Sequence, residues 1–361
     1  MPSSRRIVVV IAVLASLIAA ACGGGGSASQ SPPPSTEASA GPSLASGSSS
    51  PSEEASQPPV ALAVGLGYIP SVQFAPFYLA EQNGYYRDAG LTVTFQNKID
   101  PDLIPLVGQG AIDIGLADGT STIPAVSQGI PIKYVATVYG QFPSIVFSKA
   151  SAGITTPAEL KGKKIGIPGR YGSSWIMLQA LLASANLTPS DVQIVEYPDF
   201  GQGAAVQKGA VDAATGFVNN EPVVLELAGQ TVSILRVDAI TPLPGNGLIV
   251  GAKALESKRD AIAAFVAATL HAMADVEANP ETGLDASIKA VPELGKAREM
   301  QAAILAATID VWRGPVQQEQ GLGAIDSAGW QKSIDYLTTL KLVPKPVTVD
   351  DVTDPGLLPA D

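Results

Sequence analysis

The chain has 361 residues, 46% hydrophobic and only 15% charged, with a formal net charge of −11. That is enough apolar material for a sizeable core, and at about 150 residues per domain it suggests roughly two domains; no basic run extends beyond Lys161, Lys163 and Lys164, so nucleic acid is excluded as a partner. One cysteine, Cys22, and one histidine, His271, exclude an intrachain disulfide, a Cys-x-x-Cys redox pair, a Cys/His zinc cluster and a Cys-His catalytic pair, and leave His271 as the only histidine base open to a triad.

Arg5 and Arg6 precede an apolar run of 15 residues, Ile7 to Ala21. A membrane span needs about 20. A basic start, a short apolar run and small residues before a break predict a secretory signal over residues 1–21. The break, Ala19-Ala20-Ala21-Cys22-Gly23, resembles a bacterial lipobox, in which Cys22 would be lipidated and cleavage would fall just before it. Ala19 departs from the usual Leu; the alternative is an ordinary signal peptide with an incidental cysteine. Ser4-Arg5-Arg6 hints at a twin-arginine signal, but Ile7-Val8-Val9 fits that pattern poorly and favours the general route. Residues 23 to 59 hold 12 Ser, 7 Pro and 6 Gly among 37 positions. Such a segment buries too little apolar surface to offset its ordering entropy, so residues 22–59 read as a lipidated tether and 60–361 as the folded part.

Leu62–Leu66, Leu91–Gln96, Lys164–Ile167 and Val192–Glu196 read as short strands. Phe77–Asn83, Pro157–Leu160 and Ser174–Ala185 read as helical, with a capping box at Thr156-Pro157-Ala158-Glu159 and an apolar face of Leu178, Leu181, Leu182 and Ala185. Within this alternation the chain repeats itself. Val107 to Asp113 and Val206 to Asp212 share Val, two variable residues, a Gly-Ala pair, a branched apolar residue and Asp, at an offset of 206 − 107 = 99. Thr120-Ser121 and Asn219-Asn220 follow at the same offset. Each opens a short helical stretch ending at Gly129 or Gly229, and each glycine precedes an apolar strand, Ile130–Val138 or Thr231–Val237. From Asp260 onward the pattern is helical: Ile262, Phe265, Val266, Leu270, Met273 and Val276 share one face, and Leu305, Ile309 and Trp312 another.

Strands alternating with helices imply an α/β fold with parallel-dominated sheets. The repeat makes it a two-lobe clamshell with C-terminal helices, lobe 1 about 60–150 plus 245–361 and lobe 2 about 151–244. In open α/β sheets ligands lie beyond the carboxyl ends of strands. Helices that start there aim free N–H groups inward. The predicted site therefore has Thr120-Ser121 and Asn219-Asn220 approaching one ligand from opposite sides.

Gly67-Tyr68-Ile69-Pro70 followed by Phe74 to Ala80, then Asn83-Gly84-Tyr85-Tyr86, Ala89 to Val93 and Glu159 to Gly166, resembles the nitrate/sulfonate/taurine/thiamine-precursor binding proteins over about 290 residues. Phe217-Val218-Asn219-Asn220-Glu221-Pro222 is similar to the vitamin-binding branch. The resemblance implies a periplasmic-binding-protein-like fold. It also implies an extracytoplasmic, lipid-anchored solute-binding protein at the cell membrane, a monomer whose partners are a small ligand and the permease and ATPase subunits of an ABC importer. It implies no cofactor, metal or catalytic residue. A eukaryotic thiamine-pyrimidine synthase shares the fold; its cysteine-rich motif and active-site histidines have no counterpart here. A ligand sensor for a membrane receptor is the other alternative.

Candidate ligand contacts are Tyr68, Asp118, Thr120, Ser121, Tyr139, Tyr171, Ser173, Trp175, Asn219, Asn220 and Glu221. Each has a plainer reading. Asp118, Thr120, Ser121, Asn219 and Asn220 cap helices in that reading; Ser173 is an N-cap, Trp175 is core, and Glu221 complements a helix dipole. Arg170 is expected to pair with Glu196 or Asp199, His271 with Asp275 on a solvated helix face, and Trp312 and Trp330 to pack the C-terminal helices. Aromatic faces with amides and an acid suit a flat, neutral heterocycle better than an anion. Riboflavin is the first expectation, the thiamine pyrimidine precursor formylaminopyrimidine the second, and taurine, sulfonate or nitrate the third.

Overall fold

The computed structural model describes residues 58–359; the expected signal peptide, Cys22 and the tether up to residue 57 lie outside the described residues. Among the described residues, ten strands form two five-stranded sheets. In chain order these are β1 (Val60–Leu66), β2 (Leu91–Asn97), β3 (Ile114–Asp118), β4 (Ile132–Thr137), β5 (Ser144–Lys149), β6 (Lys164–Ile167), β7 (Gln193–Glu196), β8 (Ala213–Phe217), β9 (Val232–Arg236) and β10 (Asn246–Gly251). The first sheet runs β2-β1-β3-β10-β4 and the second β7-β6-β8-β5-β9. β1 pairs in parallel with β2 and β3, and β6 with β7 and β8. β10 and β5 each pair antiparallel with both neighbours.

The two antiparallel strands are the ones by which the chain changes sheets. After β4 it crosses to β5 through residues 138–143, and after β9 it returns to β10 through residues 237–245. β5 thus belongs to the second sheet, whereas the expected boundary kept Ser144–Lys149 in the first lobe.

The repeat is structural to the residue. β3 and β8 start at 114 and 213, a difference of 99. The helices before them, Asp100–Gln109 and Gln202–Lys208, end at Gly110 and Gly209. Both glycines have left-handed φ, 78° and 72°, a conformation that costs other residues about 1 kcal/mol. The shared aspartate does the same work in both copies. Asp113 Oδ2 accepts the N–H of Ala63 in β1 (2.9 Å), and Asp212 Oδ2 accepts the N–H of Lys164 in β6 (2.8 Å). Each carboxylate thereby satisfies a backbone group on the adjacent first strand. Asp113 also pairs with Lys258.

Three apolar cores among the described residues hold these layers. One face of the first sheet packs on Ala75–Gln82, Arg259–Ala278, Pro280–Ala290 and Arg298–Trp312, around Phe77, Tyr86, Phe265 and Trp312. The Arg259–Ala278 helix is apolar and long enough to cross a membrane, yet Ile262, Phe265, Val266, Met273 and Val276 are fully enclosed in this core. A second core lies between the sheets and joins Ile123, Ile176, Met177 and Trp330. Tyr336 reaches from the Ser327–Thr339 helix to the Ala180 carbonyl (3.5 Å). That C-terminal helix therefore braces both halves instead of belonging to the first alone. A third core backs the second sheet.

Candidate functional site

The carboxyl ends of both sheets open on one cleft enclosing about 810 Å³ of atom-free space, its solvent mouth included. Seven of the predicted residues line it: Tyr68, Asp118, Tyr139, Tyr171, Ser173, Asn220 and Glu221.

Asp118 ends β3, and its carboxylate reaches across to the other half. Oδ2 accepts the backbone N–H of Ser173 (2.8 Å), in the first turn of the 13-residue helix Gly172–Ser184. Oδ1 accepts from Asn246 Nδ2 (2.8 Å). Ser173 was expected to cap this helix. Tyr171 stands at the N-cap instead, and Ser173 lies inside the first turn, its hydroxyl on Ser144 (2.7 Å). The carboxylate from the opposite half satisfies the orphan donor that an N-cap side chain would have taken.

Glu221 opens the Glu221–Leu227 helix. Its Oε2 accepts from the Phe217 N–H (2.9 Å) and its Oε1 from Gln202 Nε2 (3.1 Å). A Cβ at Gly216 would lie 2.6 Å from Oε2, so only glycine there admits this carboxylate. Glu221 is half-buried, and loss of solvation outweighs those hydrogen bonds and pushes its carboxyl up to about 7.

Tyr68 meets Phe200 edge to face across the cleft, ring centroids 4.8 Å apart. Burial, then the nearby Glu221, raises the Tyr68 hydroxyl, while a hydrogen bond with the Asn220 side chain opposes the shift. Tyr139, in the first crossover, donates to Gln73 Oε1 (3.1 Å). Gly169 makes room for the Tyr171 ring, whose Cε1 would lie 2.3 Å from a Cβ there.

Four predicted residues stand away from the cleft walls. Thr120 is fully buried, and its hydroxyl donates to the Pro244 carbonyl (2.9 Å), pinning the second crossover. Ser121 is buried one residue on, its hydroxyl without a hydrogen-bond partner among the described residues. Asn219 is fully buried and ties the halves together, donating to Thr308 Oγ1 (2.9 Å) and Gln73 Oε1 (3.3 Å). Trp175 packs at the edge of the inter-sheet core with the Arg170 guanidinium 5.3 Å above its ring. The paired clusters thus contribute Asp118 on one side and Asn220 with Glu221 on the other; Thr120 is turned onto the second crossover and Asn219 onto Gln73 and Thr308 of the other half.

Gln73, Phe74, Phe200, Gln202, Phe217 and Asn246 also line the cleft, and the sequence reading missed them as contacts. Phe200 carried a usable signal. It sits in the Pro198-Asp199-Phe200-Gly201 turn just past the carboxyl end of β7, where open α/β sheets place ligand loops. Its φ is +58°, strained for a bulky side chain.

The remaining expectations fall into place. Arg170 pairs with Glu196 (3.0 Å). His271 lies exposed 3.8 Å from Asp275, with Tyr85 stacked on it at 4.6 Å. Trp312 and Trp330 are buried among the helices.

The NMT1/THI5-like family model matches residues 71–283. The riboflavin-binding protein RibY of Chloroflexus aurantiacus is 32% identical over 293 residues, 80% of this chain and 83% of its own. A formylaminopyrimidine-binding protein of Halalkalibacterium halodurans is 27% identical over 80% of this chain and 88% of its own. A 4-amino-5-hydroxymethyl-2-methylpyrimidine phosphate synthase of Legionella pneumophila matches less of the chain, 27% identical over 49% of it and 56% of its own. Among solved structures, the aliphatic sulphonate binding protein SsuA of Escherichia coli overlays with a TM-score of 0.64 at 22% identity, covering 82% of this chain and 97% of its own. That overlay establishes the periplasmic-binding-protein-like fold.

Proposed function

The chain belongs to the NMT1/THI5-like family, and from that premise we propose that it is the solute-binding component of an ABC importer, capturing a neutral aromatic heterocycle outside the cytoplasm. Riboflavin is the first candidate and formylaminopyrimidine the second. The transport role rests on relatives named as binding proteins that match over most of their length.

The observation that carries the ligand class is the charge of the cleft. A helix N-terminus facing a cleft is the usual seat for an anion. Here the Gly172–Ser184 helix already holds the carboxylate of Asp118. Glu221 adds a second acid, and no Lys, Arg or His is among the residues described as lining the walls. A sulfonate or nitrate would meet two acids and no cation, at a cost that rises with desolvation. Rings of Tyr68, Phe74, Tyr139, Tyr171, Phe200 and Phe217 line the same space. Aromatic pairs contribute roughly 0.5–1.5 kcal/mol each beyond burial, which favours the three-ring flavin over the single pyrimidine. Relatives named as binding proteins, matched over most of their length, support binding without catalysis; the histidine is exposed on the Arg259–Ala278 helix, against Tyr85 and outside the cleft lining.

Ligand would stabilise the closed arrangement in which Asp118 reaches Ser173, Asn219 reaches Gln73 and Tyr68 meets Phe200, hinged on residues 138–143 and 237–245. The lipid anchor at Cys22 would keep the protein near its permease.

The test is a titration of riboflavin into the purified full-length chain, read by flavin fluorescence quenching, with thermal shifts against formylaminopyrimidine and taurine alongside. Quenching with recovery of unaltered riboflavin supports the reading. A thermal shift with the pyrimidine alone moves the assignment to the second candidate, and a shift with taurine alone overturns the charge argument. Cys22→Ser should move the protein from the membrane to the soluble or secreted fraction; retention in the membrane overturns the anchor.

A further inference from the structure

The cleft contains two matched pairs that neither the repeat nor any motif announces. Asn246 opens β10 at the end of the first sheet; its Nδ2 donates to Asp118 Oδ1 (2.8 Å). Gln202 opens a helix on the second sheet; its Nε2 donates to Glu221 Oε1 (3.1 Å). In each pair a carboxylate holds the NH₂ end of an amide. An ionised carboxylate accepts and does not offer a proton, so Asp118, and Glu221 above the pH of about 7 at which it ionises, fix which end of the amide faces them. The other end follows from geometry: Asn246 Oδ1 and Gln202 Oε1 must face elsewhere. Both oxygens are buried, and neither has a hydrogen-bond partner among the described residues. Gln202 as a whole is 1% exposed. Both residues line the cleft, from opposite halves.

Buried acceptors without donors are costly and rare in folded proteins. Two of them, each locked by a carboxylate at the wall of one cleft, would both be satisfied by a ligand that brings N–H or O–H groups. We infer that Gln202 and Asn246 read hydrogen-bond donors on the ligand, one from each half of the cleft, with Glu221 and Asp118 as positioning residues that fix the two amides. This deepens the proposed function and rests on it for the choice of ligand; the acceptor pair itself rests only on the geometry. It specifies a ligand class more narrowly than charge does: a neutral ring system with donors near two edges. An analogue whose donors are masked would leave one amide oxygen buried and unpaired, and the site would reject it.

The experiment is a set of binding cycles on the full-length chain. The variants are Gln202→Met and Asn246→Leu, which keep bulk and remove the acceptor. The ligands are riboflavin, 3-methylriboflavin (ring N–H masked) and lumiflavin (ribityl hydroxyls absent), read by fluorescence quenching. Circular dichroism melts confirm that each variant is folded. The wild type should bind at least one donor-lacking analogue roughly tenfold more weakly than riboflavin. In the variant lacking the matching acceptor that penalty should vanish, because no oxygen remains to be stranded. The same penalty should shrink in Glu221→Gln or Asp118→Asn, where the amide is free to turn; a residue with only a structural role would lower stability and leave the penalty alone. If the wild type binds no flavin, the ligand choice fails, and the same cycle runs with formylaminopyrimidine and its N-methylated amine. Wild-type indifference to every masked donor, or a full penalty retained in both amide variants, overturns the inference.

Discussion

Asp118→Ala separates two ways of using a helix N-terminus. The substitution strips the Ser173 N–H of its partner, and Ser173 is only 2% exposed. A buried donor left unsatisfied costs about 1–3 kcal/mol. The lost charge at the end of a 13-residue helix costs about 0.3–1 kcal/mol, and up to about 2 where partly buried. Asn246 Nδ2 loses its acceptor as well. These effects overlap, so a total near 3 kcal/mol is expected, and at about 2–4 °C per kcal/mol the melting temperature should fall by about 6–12 °C. The second readout is more diagnostic. With its built-in carboxylate gone, the helix end becomes an ordinary anion seat. Differential scanning fluorimetry in sulfate or taurine should then restore part of the lost stability in Asp118→Ala and leave the wild type unmoved, at equal ionic strength against chloride. A wild type stabilised by taurine as much as the variant is would refute the idea that Asp118 already fills the seat. So would a variant that melts with the wild type.

Three further outcomes follow from the geometry. Glu221 is raised to about 7 in the fold against an ordinary 4.5, so between those values the folded state holds a proton that the unfolded chain has released; the contribution of this group to stability is fully present below pH 4.5 and is lost as pH rises toward 7, by about 3 kcal/mol at most, and Glu221→Gln should remove that component of the slope in melts from pH 4.5 to 8, whereas parallel slopes would show that Glu221 is not the group. Phe200→Gly removes the ring facing Tyr68 but relieves a φ of +58°, so flavin affinity should drop roughly threefold to tenfold with little change in melting temperature; a large loss of stability with affinity intact would reverse the assignment. Asp212→Ala and Thr120→Ala cut the Lys164 N–H and Pro244 carbonyl contacts, so calorimetry should show about 1–2 kcal/mol less stability with ligand affinity unchanged; weakened binding by the folded variants would return these positions to the site.

The duplicated half of the fold was legible because it is local. A motif of Val, Gly-Ala and Asp fixes a helix end, a left-handed glycine and the start of a strand within a few residues, so an offset of 99 in sequence survives as β3 and β8. β5 and β10 were not legible. Ser144–Lys149 and Asn246–Gly251 are short apolar runs like any buried strand, and a run of side chains carries no sign of direction or of which sheet it joins. Those choices belong to the crossovers before them, whose course depends on distant partners: Thr120 on Pro244, and Val138 and Tyr139 N–H groups on the Asn246 carbonyl.

The site shows the same division more sharply. Where function sits at the end of a repeated element, as with Asp118, Asn220 and Glu221, the repeat pointed within a residue or two, and the error was one of facing. Helix starts present alternating sides, so Thr120 turned to the crossover and Asn219 to Thr308 while their neighbours turned to the cleft. Gln202 and Asn246 had no such signal. An amide is an ordinary surface residue until something decides which end is presented, and here that decision is made by carboxylates 128 and 19 positions away in the chain. Asp118 satisfies a helix donor and orients Asn246; Glu221 satisfies the N–H at the end of β8 and orients Gln202. Each acid therefore joins backbone geometry to ligand recognition, and that coupling explains why acids line a cleft that needs no charge on its ligand. Replace either by its amide and the backbone contact can survive, but the direction of the neighbouring oxygen cannot be guaranteed. Selectivity should consequently fall before stability does, with Glu221→Gln losing discrimination against donor-masked flavins while its melting temperature at pH 7 holds or rises. A Glu221→Gln protein that still rejects those analogues in full would separate the acid from the amide and break the argument at that link.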